Sequence, residues 1–248
     1  MTLAFLSALP DELEAVLALL PDERRISVGG RSFWQGHLHG HTVVAVLSGI
    51  GLVAAATTTA LLIQRFGARQ VVMTGVAGGL GEGVAVGDVV VAQALLQHDM
   101  DASPLFARYE VPGYGRSRFD TDAGLSERLL RASRAALQAP QRTLGEEAVA
   151  AFGLQAPRVH HGLLISGDRF VSRSAESAAL RRDLPDALAV DMESAAVAQV
   201  CADFNVPVAV LRTVSDRADD AAPTDFPRFL TQVASRYSAA IVNEMLLA

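Results

Sequence analysis

The 248-residue sequence has one cysteine, one tryptophan and few aromatic residues, and only 19% of its positions are charged. A single thiol, Cys201, cannot close an internal disulfide. It lies in the apolar run AAVAQVCADF, where it reads as a small core residue. No dense Lys/Arg run is present and the formal net charge is −6, so nothing is arranged to neutralise a phosphate backbone or an anionic bilayer. Nucleic acid and membrane are therefore not expected partners. The start, MTLAFLSALPDELE, turns acidic after a few apolar residues, too short and not basic enough for a signal peptide or a span, so the sequence predicts a cytoplasmic protein. The glycine cluster TGVAGGLGEG misses the G-x-G-x-x-G spacing, and there is no GK[ST], so neither a nicotinamide nor an ATP cofactor is expected.

Half of the residues are apolar, too many for a disordered chain and enough for an ample core with a surplus for a subunit interface. The apolar pattern alternates between strand and helix. Residues 2–8 read as a strand, Pro10 to Leu20 as a helix, and residues 24–47 as three β-rich runs. IGLVAAATTTALLIQRF follows as a helix, then the buried strands ARQVVMTGV and GDVVVAQALLQ. Residues 98–122 show no periodicity and read as a long functional loop. A helix near 124–138, a polar connection to about 157, the strand VHHGLLISG, a strand-to-helix passage ALAVDMESAAVAQVCADF, the strand VPVAVLRTVSD and a closing amphipathic helix complete the order. No internal repeat or linker interrupts it. The fold class predicted is one α/β domain over residues 1–248, a three-layer α/β/α sandwich around a mixed sheet.

Polar groups that do not suit a core fall at one topological edge. Glu12 follows the first strand, Ser48–Gly51 the fourth, Gly75–Gly83 the fifth and Ser166–Phe170 the HHGLLI strand; Glu193 follows ALAV, and Asp216 ends VPVAVLRTV. In open α/β sheets ligands bind at the carboxyl ends of strands. Taken singly, each has a plainer reading. Glu12 suits a helix first turn, Glu193 a first turn capped by Asp191, and Asp216 a turn within the polar knot Ser215–Asp220. Yet AVDMESAAVA is so apolar that a carboxylate there needs a partner or a ligand. His37, His39 and His41 alternate as on one face of a strand, which reads as a solvated hairpin face before it reads as a metal site, and HDMD at 98–101 reads as loop capping. No metal is expected.

The segments ALPDELEAV (8–16), SGIGLVAAA (48–56), TGVAGGL (74–80), VGDVVVA (86–92), HDMD (98–101), GLLISGDRFV (162–171), VDMESAAVAQVC (190–201) and VSDRAD (214–219) resemble, in order, those of the 5′-methylthioadenosine/S-adenosylhomocysteine nucleosidases, within the nucleoside phosphorylase-like superfamily. The resemblance implies a homodimer that hydrolyses adenine nucleosides without a cofactor. It implies Glu12 as general base for water and Asp216, supported by Ser215, as the group serving purine N7. Glu193 would bind the ribose hydroxyls above Met192, Phe170 would stack on the base and the Val171 backbone would read its edge. Arg212 would lie near the water, and Ile50, Val76 and Gly78 would line the substrate. Val76 departs from the Ser or Thr of many relatives, removing one possible hydrogen bond. The loop 102–119 also departs. In the family it lines the 5′-substituent pocket, partly from the partner subunit, so Leu105, Phe106, Arg108 and Pro112 are the expected 5′-pocket residues.

This residue set suits glycosidic cleavage. Protonation of N7 improves the leaving group, and a carboxylate on the other side activates water, as in glycosidases. Phosphorolysis would need a cationic phosphate cradle where Pro10-Asp11-Glu12 stands. A non-catalytic nucleoside sensor would lack the acid or the base. The rival within hydrolysis is another adenine nucleoside, AMP-type or aminodeoxyfutalosine-type, whose anionic 5′-group Arg108 would recognise.

Overall fold

A computed structural model describes residues 1–219 and 222–247, with side chains left out over 222–225. The chain runs β1 (Thr2–Ser7), α1 (Pro10–Leu17), β2 (Arg24–Val28), β3 (Arg31–Leu38), β4 (His41–Leu47), α2 (Leu52–Phe66), β5 (Ala68–Met73), β6 (Val76–Gly79), β7 (Val89–Gln97) and β8 (Arg118–Asp120). It continues through α3 (Ala123–Leu137), α4 (Pro140–Leu144), α5 (Glu146–Phe152), β9 (Val159–Ser166), α6 (Ser174–Asp183), β10 (Ala187–Asp191), α7 (Ser194–Asp203), β11 (Val208–Asp216), α8 (Ala222–Phe229) and α9 (Ser235–Leu247). A π-helical turn, Leu230–Ala234, joins α8 to α9 just after Pro227, which cannot donate to the regular helical ladder.

The described strands form one mixed sheet in the order β2-β3-β4-β1-β5-β11-β6-β10-β9-β7-β8. Its centre is apolar on both faces because both are covered. In β1, Leu3 and Phe5 pack toward α1, α3 and α9, while Ala4 and Leu6 pack toward α2 and α7. That is the expected three-layer arrangement. The sheet also closes on itself: β11 pairs with β5 over Val208–Val210, with β7 over Leu211–Thr213 and with β6 from Thr213 to Asp216. With β6–β10, β10–β9 and β9–β7 pairings, five strands make a ring. Register shifts in β7, β10 and β11 supply the bend, as bulges do in barrels.

Several expectations change. The polar connection after α3 contains the short helices α4 and α5, the long loop ends in β8, and α6 gave no signal in the apolar pattern. The three histidines do not share one strand face. Chain reversal falls at His39 and Gly40, so His37 lies on β3 and His41 opens β4. His37 Nδ1 lies 2.8 Å from Asp22 and His39 Nε2 lies 2.8 Å from Asn243, so both are hydrogen-bonded to residues outside the hairpin.

Candidate active site

A cavity of about 320 Å³ opens where the carboxyl ends of β1, β6, β10 and β11 meet. Its lining includes Glu12, Ile50, Val76, Gly78, Phe170, Val171, Met192, Glu193, Arg212, Ser215 and Asp216. Eleven residues chosen from the sequence thus converge on one space. Ala8, Leu9, Ala77, Arg169, Val190, Asp191, Phe226 and Pro227 complete it.

Glu12 sits in the first turn of α1 and is 0% exposed. One carboxylate oxygen accepts the N–H groups of Ala8 and Leu9, each at 3.1 Å, and the other accepts that of Val76 at 3.1 Å. The helix-cap reading is therefore correct and incomplete, because the cap also faces the cavity. Burial pushes its carboxyl up to about 7, against the lowering effects of Arg212 and the Ala8 and Leu9 amides. Val76 serves through its backbone N–H, so the missing hydroxyl leaves this contact intact. Gly75 is required here: its φ is +154°, and a Cβ would meet the Arg212 guanidinium and the Glu12 carboxylate, its nearest approach to Glu12 being 2.9 Å.

Glu193 is the N-cap residue of α7, but Asp191 does the capping, accepting the N–H groups of Glu193 and Ser194 at 3.2 Å each. That frees the Glu193 carboxylate. Its Oε1 accepts the Gly51 N–H at 3.1 Å and its Oε2 accepts from Arg212 at 3.2 Å. Burial raises its pKa, with Arg212 opposing. Arg212 is 1% exposed and is held from several sides: Nε donates to Asp191 at 2.7 Å, Nη1 to the Thr74 carbonyl at 3.3 Å and Nη2 to the Met73 thioether at 3.3 Å. A buried cation between two carboxylates satisfies the electrostatic need of all three.

Asp216 ends β11 and is buried. Its Oδ2 accepts from the Ser215 hydroxyl at 2.7 Å and its Oδ1 from the Ala218 N–H at 2.7 Å. Burial raises its pKa and outweighs the lowering by Ser215 and Ala218. Gly78 leaves room for this carboxylate, since a Cβ there would sit 3.1 Å from Oδ1. Of the polar knot, Asp220 lies outside the described residues.

One wall is apolar and partly open: Phe170 is 52% and Ile50 58% exposed. Phe226, an apolar position of the closing amphipathic helix, both packs on the core and lines the cavity. Leu105, Phe106, Arg108 and Pro112 do not line the cavity of their own chain. Leu105 is 85% exposed, and Arg108 pairs with Asp183 at 3.0 Å and lies over the Tyr109 ring. The Asp183 carboxylate on α6 holds Arg108 away from the cavity of its own chain.

The profile of the phosphorylase superfamily matches residues 2–247. A curated 5′-methylthioadenosine/S-adenosylhomocysteine nucleosidase of Listeria monocytogenes is 33% identical over 246 residues, 99% of each chain. The crystal structure of the Neisseria meningitidis nucleosidase of that name, in complex with methylthio-immucillin-A, superposes with a TM-score of 0.86 at 37% identity, covering 98% of this chain and 97% of that one. A futalosine hydrolase of Helicobacter pylori superposes with a TM-score of 0.83 at 30% identity over 99% of this chain and 97% of its own.

Proposed function

From the premise that this chain belongs to the phosphorylase superfamily, and within it to the 5′-methylthioadenosine/S-adenosylhomocysteine nucleosidases, we propose how its pocket works. It is an N-glycosyl hydrolase that splits adenine from the thio-ribose of 5′-methylthioadenosine and S-adenosylhomocysteine. The observation that carries the assignment of roles is the cavity floor, where Glu12, Glu193 and Asp216 are buried and the Arg212 guanidinium is already paired with Asp191 and Glu193.

Asp216 is the general acid. Burial favours its protonated form, and the Ser215 hydroxyl fixes the orientation of the carboxyl. Proton donation to N7 lets the glycosidic electrons leave onto adenine, an effect worth roughly 10²–10⁴-fold. Glu12 is the general base. With a pKa of about 7 it is partly ionised at neutral pH and basic enough to take a proton from water as the sugar becomes cationic. Glu193 accepts the ribose 2′- and 3′-hydroxyls and its charge favours the oxocarbenium-like sugar, with Arg212 and the Gly51 N–H holding it in place. Met192 packs under the sugar, Phe170 stacks on the base and the Val171 backbone meets the adenine edge.

Two rival readings lose support on charge. Phosphate would meet Glu12 and Glu193, and the cations lining the cavity are already paired: Arg212 with Asp191 and Glu193, Arg169 with Glu176 at 2.6 Å. An AMP-type or futalosine-type substrate would need a cation at the 5′-end, and Arg108 is engaged by Asp183. Among the described residues no helix is long and apolar enough to cross a membrane. We place the activity in a cytoplasmic homodimer serving methionine salvage, with Leu105, Phe106 and Pro112 of each subunit finishing the other's 5′-pocket.

The test is adenine release from methylthioadenosine, adenosylhomocysteine, AMP and an aminodeoxyfutalosine-type nucleoside, with and without phosphate. Thio-nucleosides should lead, and the product should be a free reducing sugar at a rate indifferent to phosphate. Ribose-1-phosphate formation would overturn hydrolysis, and a lead by AMP would overturn the substrate.

A further inference from the structure

The segment 167–171 carries Phe170 and Val171, yet most of it is exposed and no regular element contains it. Something has to hold it at a fixed distance from the ribose side of the cavity. Behind it, the Asp168 N–H donates to Asp99 Oδ2 at 2.8 Å, which ties the segment to the turn after β7. The Asp168 carboxylate reaches the other way and accepts the Leu52 N–H at 2.7 Å. Leu52 is the first residue of α2, whose own N-cap is Gly51 and supplies no side-chain acceptor. Asp168 therefore caps that helix from a distant part of the chain, where the helix dipole favours an anion. One residue earlier, the Gly51 N–H donates to Glu193. Two adjacent amides at one helix end thus hold the base segment and the ribose carboxylate.

The packing leaves little slack. Gly51 has φ +101°, and a Cβ on it would lie 3.0 Å from the Asp168 carboxylate. A Cβ on Gly167 would come within 2.5 Å of His98 Nε2 and 2.9 Å of Asp99 Oδ2. The neighbouring ties run the same way: the His98 N–H donates to the Ser166 carbonyl at 2.9 Å and the Gly167 N–H to the Asp191 carbonyl at 3.2 Å.

We infer that Asp168, braced by Asp99, is a positioning residue that sets the spacing between the base segment and the Glu193–Gly51 ribose site. The inference rests on the nucleoside-hydrolase reading given above. Asp168 touches neither the reacting atoms nor Asp216, whose partners Ser215 and Ala218 are separate from the strut. Its loss should therefore weaken binding far more than it slows the chemical step.

The experiment measures adenine affinity by calorimetry, and kcat and KM for methylthioadenosine, in full-length wild type, Asp168→Ala, Asp168→Asn, Asp99→Ala and the double alanine variant. Asp168→Ala should raise both the adenine Kd and KM by roughly two- to thirty-fold, the range that loss of a helix cap gives, while kcat stays within about threefold. Asp168→Asn keeps an acceptor for the Leu52 N–H and should recover most of the affinity. Because both alanines cut one strut, the double variant should be little worse than Asp168→Ala. A purely structural role would lower Tm and leave Kd and KM alone, and that result overturns the inference. So does additivity of the two alanines, or an Asn variant as impaired as Ala. Calorimetry needs no turnover: wild type that binds adenine but releases none from methylthioadenosine would sink the activity, whereas an active wild type with an unmoved Asp168→Ala Kd would sink the strut alone.

Discussion

The floor and the rim of the cavity are built on opposite principles. On the floor, Glu12, Glu193, Arg212, Asp191 and Asp216 are buried at strand ends and first helical turns, and each has its hydrogen-bond partners within the chain. On the rim, Ile50 and Phe170 are large apolar side chains facing outward with more than half of their surface exposed. The floor is finished before a ligand arrives. The rim is left open, with apolar surface available for contact. Preorganised charges act strongly because nothing has to rearrange when the transition state forms. Apolar rims act by contact area, which tunes affinity.

The comparison predicts the largest losses on the floor. On the proposed roles, Asp216→Asn removes the proton donor and Glu12→Gln the base, and each should lower kcat for methylthioadenosine roughly 10²–10⁴-fold or more while adenine still binds by calorimetry. Near-normal kcat in either would show that the floor is scaffold and not machinery.

Next comes Glu193→Ala, which should cost roughly 10–100-fold in kcat/KM. A 2′-deoxy substrate should lose a similar factor on wild type, because it leaves the Glu193 carboxylate without its partner, and much less on the variant. An equal penalty on both proteins would detach Glu193 from the sugar.

The floor was the legible part of the sequence. A carboxylate inside AVDMESAAVA or at the end of VPVAVLRTV conflicts with its apolar surroundings, and that conflict is local, so it can be read without a structure. Asp191 was legible as a cap but not as the counter-ion that holds Arg212, because their pairing joins β10 to β11 across the ring. Phe226 was hidden for another reason: its helical spacing fits the core, and it serves core and cavity together. Helix α6 is polar and nearly devoid of buried residues, so periodicity could not announce it. Closure of the sheet depends on bulges and on pairings far apart in the chain, which no short window contains.

A smaller effect concerns protons. Below about pH 7 the Glu12 carboxyl of the free protein is mostly protonated, so kcat/KM should fall as pH drops below about 7, and loss of the Asp216 proton should bound the profile on the alkaline side. Stability should move the opposite way. The folded-state pKa lies above the ordinary 4.5, so the contribution of neutral Glu12 is complete below about 4.5 and is lost as pH rises through about 7. Thermal melts from pH 5 to 8 should fall more steeply for wild type than for Glu12→Gln, and parallel slopes would contradict the assignment.

The loop proposed to complete the 5′-pocket should give the mildest phenotypes. Leu105→Ser or Phe106→Ser should raise KM for methylthioadenosine roughly tenfold, leave kcat nearly unchanged and spare adenosine, which has no alkylthio group to lose. Arg108→Ala should alter kcat/KM for methylthioadenosine and AMP by less than about twofold. A large selective loss on AMP would move Arg108 from the α6 clamp into the substrate site.

Strand β11 carries both Arg212 and Asp216, and it takes its place only by pairing with β5, β7 and β6, all from the first 100 residues. It is a keystone, the piece set last whose seating makes the arch bear weight. Contacts spanning so much chain form late, because the intervening loop must first be closed. A growing polypeptide cannot own this pocket until its last strand has been made, however well the earlier helices have already settled. On refolding from denaturant, the far-ultraviolet helix signal should return before adenine binding does, and the interval between the two is the time the arch waits for its stone.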